Sequence, residues 1–182
     1  MADNVKLLRG NVTVLAAYPE AFADPSSPTK AELNAQYHPT NNPGAMVFNI
    51  SCAIVDDGFT ANVTDSETDD TRTVCDVGQV NNPTFTTYEV SLDALRDEDV
   101  TANGVFNRFF NLFKAPDRPY WIIVRIGKSN TTLFSDDGSD VVTLYGVTTD
   151  NPIDIVEDNA LLKFGARFQN TGDVYINVRV ED

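Results

Sequence analysis

The chain has 182 residues, 42% of them hydrophobic, and its acidic side chains outnumber its basic ones 27 to 13, giving a formal net charge of −14. That balance argues against a nucleic-acid binder, since gripping phosphates takes clustered Lys and Arg that displace counterions, and fits a protein that repels polyanions or meets a basic partner. Length and apolar content suffice for one sizeable core; no run nears the roughly 20 apolar residues of a membrane helix, and the start, MADNVKLLRGNVTV, lacks a signal-peptide run, so one domain folded in the cytoplasm is expected.

In chain order, a strand-like run opens at Asn11 and gives way to a long excursion from Tyr18 to Gly44, rich in Pro and Asn. Within it, Ser27 followed by Pro28 predicts a short helix over Ser27 to Gln36. An irregular connection of this length is generally functional or ordered by a partner. From Val47 to Val55, Phe48, Ile50, Cys52 and Ile54 alternate with smaller or polar residues, the pattern of a half-buried strand. Tyr88, Val90 and Leu92 mark one face of another strand beginning near Thr84.

Between Asn103 and Phe113 the period changes to that of a helix. Phe106, Phe109, Phe110 and Phe113 form an aromatic stripe, Asn103 is the expected N-cap, and APDRP ends the segment. The stripe is read as core packing rather than a cofactor box. Tyr120 to Ile126, YWIIVRI, is apolar on both faces apart from Arg125 and predicts a central strand that buries Trp121. At the end of the chain, over residues 160–180, a β-hairpin is expected. Leu162, Phe164, Ala166 and Phe168 would share one face of its first strand, NTGD at 170–173 would turn, and Val174, Ile176, Val178 and Val180 would share a face of its second.

Motifs that could carry chemistry are missing from the sequence. It has no Gly-rich phosphate loop, no GxSxG and no HExxH, and the single histidine, His38, has no nucleophile or orienting group beside it. The clusters Asp65, Glu67, Asp69, Asp70 and Asp136, Asp137, Asp140 lack the ligand order of an EF-hand loop and read as solvated turns. Cys52 and Cys75 read as buried free thiols without a CxxC partner. Four N-x-S/T triplets, at Asn11, Asn49, Asn62 and Asn130, are expected by chance in a chain rich in Asn and Thr. Catalytic residues, metals and cofactors are therefore not expected. What remains is an acidic, mainly β domain, with a carbohydrate-binding or adhesin-type sandwich as one reading.

A second reading comes from likeness. The stretches RDEDVTANGVFNRFFNLFKAPDRPYWIIVRIG at 96–127 and VTLYGVTTDNPIDIVEDNALLKFGARFQNTGDV at 142–174 resemble the major tail, or tail tube, proteins of long-tailed, non-contractile bacteriophages of actinobacteria. So do NVTVLAA at 11–17, PTKAELNA at 28–35 and ISCAIVDDGFTANVTDSETDDTRTVCDVG at 50–78. The resemblance implies a tail tube domain over residues 1–182: a β-sandwich or half-barrel with one flanking amphipathic helix and a long assembly loop at 18–44.

It also implies a job. Six copies would form a ring, rings would stack into a tube, and an acidic wall would let viral DNA slide through without adhering. Partners would be further copies of the chain, a tape measure protein, a tail terminator and distal tail proteins, with no membrane involved. On this view Phe22, Leu33 and Tyr37, apolar residues without a place in a period-two core, would pack on a neighbouring subunit. Lys163, Arg167 and Arg179 would form a basic face meeting Asp65, Glu67, Asp69 and Asp70 of the next copy.

Overall fold

The computed structural model describes residues 11–69, 82–97, 99, 101, 104–135, 137–156 and 161–182. At its centre lies the expected strand, β5 (Pro119–Ile126), with six consecutive buried residues from Tyr120 to Arg125. Its Ile-Ile-Val run suits a pleated surface covered on both faces. On one side it pairs with β1 (Val12–Ala17), from Val12 opposite Ile126 to Ala17 opposite Trp121. The outer neighbour of β1 is the three-residue β2 (Val47–Asn49). On its other side β5 pairs with β6 (Val141–Thr149). Three long strands complete the order: β8 (Lys163–Arg179), β4 (Asn82–Leu95) and, at the far edge, β3 (Ile54–Asp69). The short β7 (Ile153–Ile155) continues the line of β6 along β8. Every named pair is antiparallel, and the sheet curls into a half-barrel, as a mainly β fold of this type requires.

Period-two alternation divides the apolar residues between two cores. On the concave side, Val14, Ala16, Ile122, Tyr145, Tyr88, Leu92 and Phe164 face one another. On the convex side, Leu15, Ala17, Trp121, Ile123 and Leu144 lie beneath Phe22, Leu33, Phe134 and Val180.

The aromatic stripe closes one end of the concave core. Helix α2 spans Val105–Phe113 and buries Phe109 and Phe113 fully, while Phe106 and Phe110 pack partly against the same cluster. Edge-to-face contacts join Phe109 and Phe110 to Phe164, and Phe113 to Tyr120 and Phe168. Gly104 stands at the N-cap without a side-chain bond; the expected cap, Asn103, lies outside the described residues.

Three expectations are overturned. First, residues 163–179 form one continuous strand instead of a hairpin. NTGD is absorbed as a bulge opposite β6, where the register shifts between Tyr145 and Val147, and Gly172 takes φ 91°. A second shift, between Val142 and Leu144, lies opposite Asn177, whose φ is 52°. Accordingly Val174 packs with the concave core, Val178 and Val180 belong to the convex core, and Ile176 is exposed; Leu162 too is largely exposed.

Second, the alternation from Val47 to Val55 breaks into β2 and a 3-10 turn at Ser51–Ala53 before β3 begins. The turn points Cys52 outward, so this thiol is exposed rather than buried; Cys75 lies outside the described residues.

Third, two apolar residues of the excursion are buried within their own chain, and its helix is shorter than expected. Its helix, α1, is only Lys30–Asn34, capped by Thr29 instead of Ser27. Thr29 and Glu32 form a reciprocal capping box, in which Glu32 accepts from the Thr29 backbone N–H at 2.9 Å. Leu33 is completely buried and Phe22 nearly so within the convex core, while Tyr37 stacks on Phe48. Phe22 and Leu33 thus have no apolar surface left for a neighbour to cover. Thr29→Ala is expected to lower stability by about 1 kcal/mol, measured as a urea midpoint shift at constant m.

Candidate assembly interface

A sheet that is not closed ends in strands whose backbone groups lack partners, and natural proteins usually shield them. Here the two ends are treated differently. The β2 end is short and covered on its outer side at Val47, whose carbonyl accepts from the Tyr37 N–H at 2.7 Å. The β3 end is sixteen residues long and, among the described residues, pairs only with β4. Across the layers Ile54, Phe59 and Ala61 pack partly against the concave core, and the Tyr145 hydroxyl donates to the Ala61 carbonyl at 3.2 Å. From Asn62 onward the outer edge of β3 has no strand partner among the described residues, and Asn62, Val63 and Thr64 are exposed.

A second open edge arises where the layers part. β4 and β8 are paired only from Leu95 opposite Lys163 to Ser91 opposite Arg167. Beyond that point, among the described residues, β4 continues with β3 alone, and β8, from Phe168 to Arg179, with β6 alone. Tyr88 sits in the fork. Its hydroxyl reaches the carbonyls of Gly146 and Asp173 and accepts from the Thr171 N–H at 3.1 Å. Gly146 permits this approach, since a side chain there would collide with Thr171, Asp173 and Trp121.

The expected basic face is not one face. Lys163 and Arg167 lie opposite the buried Phe164 and Ala166. Arg179, directly across from Val141, shares the concave side instead, because the bulges shift the alternation along β8. Arg167 also has a carboxylate in its own chain: it donates to Asp93 at 2.6 Å across Gly165, where a Cβ would strike both side chains. Asp65, Glu67 and Asp69 belong to the β3 backbone, but their side chains, and Asp70 altogether, lie outside the described residues.

The convex side holds an ion cluster that the sequence pattern hides. Arg125 is 1% exposed and bonds Asp140, the Thr13 hydroxyl and the carbonyls of Ser129, Thr132 and Leu133, with its guanidinium 4.1 Å from the Phe134 ring. Asp140 is equally buried, contrary to its reading as part of a solvated turn. Burial pushes its pKa up, but the Ser135 N–H, Lys128 and Arg125 outweigh this and hold it below the usual carboxylate value. Asp137 is exposed, and hydrogen bonds from Ser139 and Ser135 lower it to about 2; Asp136 lies outside the described residues. The cluster folds residues 127–140 over the sheet.

His38 serves a turn. Its Nδ1 accepts from the N–H groups of Thr40 and Asn41, at 3.2 and 3.1 Å. Among the described residues no three His, Cys, Asp or Glu side chains converge, and no helix is long and apolar enough to cross a membrane.

The candidate assembly surface of this molecule is thus its backbone edges. No curated protein matches the chain in sequence. A family model described as phage tail tube protein matches residues 1–181. The chain, with its half-barrel sheet, therefore belongs to the phage tail tube protein family, a structural component of the virion.

Proposed function

We propose that six copies join edge to edge into a ring, that rings stack into a tube, and that the tube conducts the viral genome in a sheathless, flexible tail, here of a phage infecting actinobacteria. The carrying observation is the asymmetry of the sheet: the short β2 edge is met at Val47 by the Tyr37 N–H, while the outer edge of β3 from Asn62 onward has no strand partner among the described residues. Strand addition between copies would satisfy those backbone groups. The net charge of −14 suits a wall that repels phosphates during ejection. Synthesis in the host cytoplasm and contacts with tape measure, terminator and distal tail proteins belong to the same reading.

Negative-stain microscopy of the purified protein tests it: six-fold rings and tubes are expected, and compact monomers at high concentration would overturn it. Proline variants locate the edge. Neighbouring residues of an antiparallel strand address opposite edges, so of Asn62→Pro and Val63→Pro one blocks only the outer edge. That variant is expected to abolish rings at a nearly unchanged thermal midpoint, and normal assembly by both would refute the use of this edge.

A further inference from the structure

Helix α2 buries its phenylalanines and turns a polar ridge outward, on which Arg108, Asn111 and Lys114 follow one another at intervals of three. Asn111 and Lys114 are exposed, and the Lys114 ammonium donates to the Asn111 side chain at 2.9 Å. Arg108 is held differently. Its guanidinium lies over the Tyr37 ring, 4.8 Å from the centroid, and its Nε is buried with no hydrogen-bond partner among the described residues. A buried donor on a charged group is costly to leave without an acceptor, and native structures rarely do so.

The ridge borders a cavity of about 270 Å³ between α2 and the excursion. Tyr18, Tyr37 and Phe48 give it ring faces, Asn107, Arg108 and Asn111 give it donors, and none of its lining residues is acidic. The Asn107 amide is already committed, donating to the Asp99 carbonyl at 2.6 Å. Arg96, Arg125 and Arg167 each hold a carboxylate, whereas Arg108 has none among the described residues. In a chain with 27 acidic and 13 basic residues, abundance alone would favour the opposite.

We infer that this pocket takes an Asp or Glu side chain of a second copy, whose carboxylate accepts from Arg108; this rests on the tube reading above. Charge supports it, because every copy brings carboxylates to spare. Asp57, Glu89 and Asp173 are exposed and form no ion pair with another described residue. Position supports it as well. None of the lining residues belongs to β3 or β4, so strand addition at the β3 edge leaves the pocket open to a further copy. A charge-assisted bond there, flanked by tyrosine rings, adds a contact that strand pairing does not supply.

Arg108→Lys puts an amine at this position, and a carbodiimide joins amines only to carboxylates in direct contact. Applied to tubes assembled from equal parts of isotope-labelled and unlabelled Arg108→Lys protein, it is expected to link the introduced amine to an acid of another copy, seen by mass spectrometry as peptide pairs of mixed label. Pairs carrying a single label throughout would mean that the acid belongs to the same chain and would overturn the inference. Arg108→Gln keeps a polar side chain without the charge. It should leave the thermal midpoint of the unassembled protein nearly unchanged and raise the concentration needed for assembly about tenfold, with Arg108→Lys in between. Assembly of Arg108→Gln at the wild-type concentration would sink the idea, and so would a loss of assembly matched by a lower thermal midpoint, the mark of a purely structural arginine. Tubes that form without the mixed-label linkage refute this contact alone; a wild-type chain that never assembles refutes the tube reading and the contact together.

Discussion

Phe109→Ala is expected to cost about 3 to 5 kcal/mol, the range for removing a fully buried aromatic ring and leaving a cavity. Phe109 is completely buried, and its ring meets Phe113 and Phe164 edge to face at 5.0 and 5.9 Å. No polar side chain lies among those contacts to admit a stabilising water. The loss should register in the urea midpoint of the unassembled protein, before any effect on rings. Phe106→Ala, at a partly buried position on the same helix, should cost clearly less. Equal costs at the two positions would show that the helix packs by a different face.

Arg125→Met should cost a comparable amount, about 3 to 5 kcal/mol, because it removes one partner from a buried charge pair. Asp140 would keep Lys128, at 3.0 Å, as its remaining cation, while the Thr13 hydroxyl and three carbonyls would lose their donor. Adding Asp140→Asn should recover part of the loss, and the double-mutant cycle isolates the coupling. The sign of the pH dependence follows from the same contacts. The folded-state pKa of Asp140 is lowered, so its contribution is full above the unfolded value of about 3.9 and is lost as pH falls through the folded value. Stability should therefore drop below about pH 4. Asp137 acts in the same direction. In Arg125→Met the acid limb should be shallower, measured as the difference in urea midpoint between pH 7 and pH 3.

Elements governed by one local period were legible in the sequence. β5 reads as a central strand because both its faces are apolar, and α2 because four phenylalanines recur at helical spacing. The alternation of Tyr88, Val90 and Leu92 likewise reports its buried face. What was not legible depends on contacts distant in sequence. NTGD has the composition of a turn, yet pairing with β6 holds it in a strand, with Gly172 and Asn177 taking up the extra residues. Phe22 and Leu33 fit no local pattern because their partners, Trp121 and Phe134 among them, are brought to them by the fold. Asp140 looked solvated because nothing in an acidic cluster reveals that Arg125, fifteen residues earlier, will be folded against it. The candidate edge was hardest to see. It consists of backbone groups without partners, and side-chain patterns report such groups only indirectly.

The sharing of β8 between the two layers has a mechanical consequence. A subunit whose layers were joined by a turn could hinge there under tension, with hydrogen bonds opening one after another. Here the same seventeen-residue strand pairs with β4 near its start and with β6 thereafter. Force applied along that strand passes between the layers through covalent backbone, and the ladders on its flanks are loaded in shear, many bonds at once. Strain imposed on an assembled tail would therefore be taken up between subunits and leave each one stiff.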